Sequence, residues 1–179
     1  RDAAFENMLS LKDKALPEDL SKSELEYFTE WYHMVIGEMT KLVNFNSDPE
    51  WIAKTIVPRI RPEQARKSLD LLMDLGIIEY DKKNKRHVRT SKDPSTGHET
   101  EGLAVTSFHK PMSDISKNAL KMNEGVRDLS AMTLCLDEKT FEEIKTSIHK
   151  FQRKVLEQDG KVKSPETVYQ LNIQLFPFM

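Results

Sequence analysis

Two groups of side chains near the middle of the sequence have types and spacing suited to binding chemistry. Gln64, Arg66 and Lys67 follow Arg59-Ile60-Arg61-Pro62, and Lys82, Lys83, Lys85, Arg86 and Arg89 follow Gly76. From Arg59 to Lys92, ten basic residues stand against five acidic ones, a local charge of +5 in a chain of net charge −2. Ammonium and guanidinium groups concentrated in this way neutralise phosphates and release counterions from a nucleic acid, an attraction without sequence information. Reading bases requires a helix in the major groove, where Gln, Arg and Lys match base-edge donors and acceptors. The expected division on double-stranded DNA is base contact by Gln64, Arg66 and Lys67, with phosphate contact by Lys82, Lys83, Lys85, Arg86 and Arg89. Asp70 and Asp74 oppose contact along the far end of the same segment. The plainer reading is that lysine and asparagine simply solubilise a turn.

These residues need elements to hold them. Pro62 suits a first helical turn, where its missing N–H would be unpaired anyway. Ala65, Leu69, Leu72 and Met73 then recur at helical spacing, and Gly76 supplies the left-handed residue that ends a helix. A short strand, a turn at Lys82-Lys83-Asn84-Lys85 and a second strand follow. Helix, glycine stop and basic hairpin in that order match a winged helix-turn-helix, a module that touches nucleic acid or, in other proteins, a protein partner. Upstream, residues 23–42 predict one helix with Leu25, Phe28, Tyr32, Ile36 and Met39 on one side. Asp48 and Pro49 open a second, carrying Trp51, Ile52, Ile56 and Val57.

The second half differs in character. Residues 93–102 have loop composition, and residues 106–122 predict a helix that Pro111 kinks or opens. Residues 127–136 alternate as a strand around Cys135, expected to be a small buried thiol. Asp137 caps a long helix carrying Phe141, Ile144, Ile148, Phe151 and Val155, stopped at Gly160. Tyr169, Leu171, Ile173 and Leu175 then alternate with Gln170, Asn172 and Gln174, a period of two. The expected class is α+β, a winged-helix-like N-terminal half followed by a β-α-β C-terminal half. Its parts are a linker or tail at 1–22, the winged-helix-like domain at 23–92, a connecting loop and helix at 93–125, and a dimerisation or sensor domain at 126–179. Two strands and one helix do not make a stable sheet alone, so the unit pairs elsewhere in the chain or completes a homodimer. The homodimer is the preferred reading.

Other chemistry is thinly represented. One cysteine allows no intrachain disulfide and forms no zinc motif with histidine. The five histidines are scattered, and nucleotide-binding loops, the GxSxG elbow and HExxH are absent. No enzyme, metal or cofactor is expected. Apolar runs fall short of the roughly 20 residues that span a bilayer, and no signal peptide opens the chain. A cytoplasmic setting is expected, without membrane contact. The start at Arg1 suggests a fragment of a longer protein. Tyr27-Phe28-Thr29-Glu30-Trp31-Tyr32-His33 holds more rings than one buried helix face needs. These rings either pack on two sides or leave Trp31, Tyr32 and His33 as a ligand or partner surface.

Several stretches together resemble a bacterial family defined only as a domain of unknown function. They are Glu26 to His33, Asp48 to Ala53, Leu69 to Ile78, Phe108-His109, Arg127 to Ser130 and Val168 to Pro177, the last being the most specific. The resemblance spans about residues 23–179. Members of that family often carry an upstream helix-turn-helix of the phage-repressor type. The resemblance thus implies a regulator-like protein of which this chain is the C-terminal portion, and no activity or binding residues transfer with it.

Overall fold

A computed structural model describes residues 22–92 and 105–179 of the chain. The tail expected before residue 22 and the loop expected at 93–102 lie outside the described residues. The chain is α+β: six α-helices and one two-stranded antiparallel sheet are described.

The first two helices, α1 (Lys22–Thr29) and α2 (Trp31–Met39), replace the single helix expected over 23–42. The break is at Glu30, whose backbone is extended at φ −130 and ψ 124. It resolves the excess of rings. By turning between the two pairs, the chain buries Tyr27 and Phe28 from α1 together with Tyr32 and His33 from α2, all between 4 and 7 % exposed. One straight helix would have left some of them in water.

Helix α3 (Pro49–Thr55) starts as expected, with the Asp48 carboxylate accepting the Glu50 N–H at 3.1 Å and Pro49 in the first turn. Helix α4 (Pro62–Asp74) buries Ala65, Ser68, Leu69, Leu71 and Leu72. At its end the Gly76 N–H donates to the Met73 carbonyl at 2.8 Å, and the Ile77 N–H to the Leu72 carbonyl at 2.9 Å. This double bond pattern is a Schellman motif, which needs a left-handed residue; Gly76 supplies it at φ 69. The chain then enters strands β1 (Ile78–Asp81) and β2 (Arg86–Arg89), paired with Ile78 opposite Arg89 and Asp81 opposite Arg86. Ile36, Ile52, Leu72, Ile77 and Ile78 form the dry centre where α2, α3, α4 and the hairpin meet.

Beyond residue 105 the order differs from expectation in one respect. A π turn (Val105–His109) leads into α5 (Lys110–Ser116), which has Pro111 in its first turn, and then a 3-10 turn (Lys117–Lys121). Helix α6 (Glu138–Asp159) is capped by Asp137, whose carboxylate accepts the Thr140 N–H at 2.8 Å. Gly160 ends it in a right-handed conformation, φ −62, so it does not act there as a left-handed stop. The expected strands on either side of α6 carry no ladder: among the described residues, 127–137 and 163–179 belong to no sheet.

The tail is held on the loop after α2, on the first core and on α5 instead. The Val43 N–H donates to the Pro165 carbonyl at 3.1 Å, Val168 packs on the first core, and the Gln174 amide donates to the Ser113 hydroxyl at 2.8 Å. Segment 127–137 therefore lacks its strand partner within the chain. Cys135, expected to be buried, is exposed for the same reason.

Candidate nucleic-acid interface

Helix α4 and the hairpin β1–β2 bring the two basic groups onto neighbouring elements. The turn between the strands is built by Asp81. Its carboxylate accepts the backbone N–H of Lys83 at 2.8 Å, that of Asn84 at 3.1 Å and the Asn84 side-chain amide at 2.6 Å. Those bonds, the Asn84 side chain first, hold the Asp81 carboxyl below the usual carboxylate range. Lys85 closes the turn in the left-handed region at φ 51. Lys82, Lys83 and Lys85 consequently point into solvent, and their side chains bond to none of the described residues.

The two arginines assigned to the same role behave differently. The Arg86 guanidinium donates to the carbonyls of Thr40 and Leu42 at 2.8 Å each and of Val43 at 3.1 Å, and it lies 5.8 Å from the Phe45 ring centre. It ties the wing to the end of α2, where unpaired helix carbonyls collect. Arg89 donates to the carbonyls of Ile77 at 2.9 Å and Lys92 at 2.7 Å, and its Nε lies 3.4 Å from the Glu38 carboxylate. Both arginines are used inside the fold, which leaves them less free for the phosphate role expected of Arg86 and Arg89 than the turn lysines are. Residue type was the signal available in the sequence. The turn carries lysines, while the strand carries arginines, whose planar fork suits several carbonyls at once.

Helix α4 also divides its candidates. Arg66 and Lys67 are exposed. Gln64 is not available for bases, because its side-chain oxygen accepts the Arg61 N–H at 3.0 Å as a helix cap and its amide lies 3.5 Å from the Tyr32 hydroxyl. A glutamine at the third helical position is a known capping signal, and it was the clue to this role. Glu63, Asp70 and Asp74 share the exposed side with the two cations. The Asp70 carboxylate acts on His87 in β2, so an acidic group lies between the basic end of α4 and the wing. Burial, more than Asp70, sets His87, lowering its pKa and keeping the ring neutral.

The surface considered at Trp31, Tyr32 and His33 does not form. Tyr32 and His33 are buried and Trp31 packs against the core. His33 Nδ1 is 2.8 Å from the Ser68 hydroxyl in α4, and burial lowers its pKa to about 4. It is a neutral packing histidine.

The family described as a domain of unknown function, DUF4423, matches residues 11–178. The chain belongs to that family. Membership extends across both halves of this DUF4423 chain, so the hairpin, the long helix and the tail all fall within the family match. No curated protein and no solved structure matches the chain. Among the described residues no helix is long and apolar enough to cross a membrane.

Proposed function

We propose that α2 to β2 form a winged helix that holds double-stranded DNA, within a regulator that dimerises through its C-terminal half. The observation that carries the reading is the wing turn: three lysines, Lys82, Lys83 and Lys85, are presented to solvent by a turn whose geometry is set by other residues. Arg66 and Lys67 are the remaining base-edge candidates, since Gln64 serves the helix. Most of the affinity is then electrostatic and weakly sequence-dependent. A regulator with a separate upstream reading domain fits that division, the wing adding phosphate contacts to recognition made elsewhere.

A second reading has its own support. Asp70 and Asp74 on the exposed side of α4 suit contact with a protein better than with a phosphate chain. In that reading the hairpin is an ordinary turn and the module binds a protein partner or a ligand.

Two sets of substitutions separate structural from binding charge. Replacing Lys82, Lys83 and Lys85 together with alanine is expected to leave the melting temperature unchanged. The same change should lower the slope of log K against log salt by about 2 to 3, at roughly 0.9 per lost phosphate contact. Arg86→Ala is expected to do the opposite, costing about 2 kcal/mol of stability through three lost carbonyl bonds. A triple-lysine variant with the parent's salt slope would remove the wing from the DNA interface.

A further inference from the structure

In the dimer proposed above, on which this inference rests, we infer that the extended segment 128–136 of each copy pairs with the tail 168–176 of the other, a reciprocal exchange of strands. Both segments have the same length and alternate apolar with small or polar residues. Both also have open backbones. Among the described residues, no backbone hydrogen bond joins 128–136 or 168–176 to any other segment. Rows of unpaired N–H and C=O groups are a template for another strand.

The two segments do not pair within one chain, because the tail is already placed. Pro165 and Val168 hold it on the first half of its own copy, and the Asn172 and Gln174 side chains hold it on α5, through one main-chain carbonyl and three side chains. Those anchors leave its main chain free to receive a strand. Self-pairing of 128–136 would satisfy one segment and leave the tail unpaired, whereas exchange satisfies all four segments of a two-fold dimer.

Apolar area agrees with this occupant. Met132 is 83 % exposed, Leu134 48 %, Tyr169 73 % and Leu171 52 %. Helix α6 buries none of its residues, with Phe151 half exposed and Leu156 more so. Together these side chains uncover several hundred Å², on the order of the ~800 Å² that each partner of a stable complex contributes and more than a lone soluble chain ordinarily shows. The first half is no alternative target, since its exposed large apolar residues (Val43, Val57, Met73 and Tyr80) are scattered along the sequence. Helix α6, about 33 Å long at 1.5 Å per residue, matches nine extended residues at about 30 Å. Its stripe of Phe141, Ile144, Ile148 and Phe151 then lies along the exchanged pair.

The test is sedimentation velocity on the full chain and on two variants, Leu134→Glu and Leu171→Glu. The parent is expected to be a dimer, and each variant a monomer with its dissociation constant raised about 100-fold. An equimolar mixture of the two variants should sediment faster than either alone, because one of its two strand pairs contains no substitution. A Leu171→Glu chain that remains a dimer, or a mixture that remains monomeric, would overturn the exchange while the dimer itself stands. A monomeric parent at tens of micromolar would overturn both. Should a variant lose its helical circular dichroism, hydrogen exchange on the parent decides. Amides of 128–136 and 168–176 should be protected at concentrations favouring the dimer and exchange freely on dilution, and equal rates in the two states would contradict the exchange.

Discussion

The imidazole of His33 lies against the Ser68 hydroxyl and the Tyr27 ring, and burial disfavours a proton added there. Burial lowers its pKa from 6.5 to about 4. Between those values the unfolded chain binds a proton that the folded chain refuses, so stability rises with pH across the window. The contribution is complete above about pH 6.5 and declines as pH falls toward 4, amounting to roughly 3 kcal/mol at most. His33→Gln keeps a hydrogen-bonding side chain beside Ser68 and cannot titrate. Urea denaturation at a series of pH values is therefore expected to show a flatter stability curve between pH 4 and 6.5 for the variant. An unchanged curve would assign the titration to another group. The same distinction between structural and available groups runs through the hairpin, where Arg86 and Arg89 bind carbonyls and the turn lysines bind none of the described residues.

At the scale of elements, α4 and the hairpin depend on the backbone of one residue. A methyl group at Gly76 has room, its nearest neighbour being the flexible Lys92 side chain at 3.5 Å. Gly76→Ala therefore costs chiefly the left-handed backbone, about 1 kcal/mol or somewhat more. Thermal denaturation should show a Tm lower by about 4–8 °C. Gly160→Ala is expected to be neutral or slightly stabilising, since that residue is right-handed and follows a helix. Equal effects at the two glycines would contradict the Schellman assignment. These elements were legible because their signals are local: Pro62, the apolar spacing and Gly76 lie within one turn-to-turn pattern. The break at Glu30 was not, since it answers to how many rings the core must take. Nor were the roles of Arg86 and Arg89, whose partners on α2 and its following loop lie more than forty residues away in sequence. Of the candidate site, the turn lysines followed from the hairpin alone. The capping bond of Gln64 was equally open to reading, since a glutamine at the third helical position signals it. The strand expectation for 127–136 did not hold, because alternation makes a strand only beside a partner strand and none lies there among the described residues.

The whole molecule combines a closed first half with an open second half. Residues 22–92 bury a continuous core, into which Val168 reaches from far along the sequence. Helix α6 buries none of its residues in the single chain, and its apolar stripe is at most half-covered. Dimerisation through the open half would place two wings on one assembly, and two weak phosphate-binding surfaces on one scaffold bind a duplex more tightly than either alone. With an overall charge of −2, the proposed attraction is confined to the +5 segment, so the account expects binding to respond strongly to salt. The most direct measurement is fluorescence anisotropy of the purified chain with a short random-sequence duplex, at low and at physiological salt. The account predicts micromolar binding at low salt that weakens steeply as salt rises. No binding at low salt would contradict it and favour the reading of the N-terminal half as a protein-binding or ligand-sensing module.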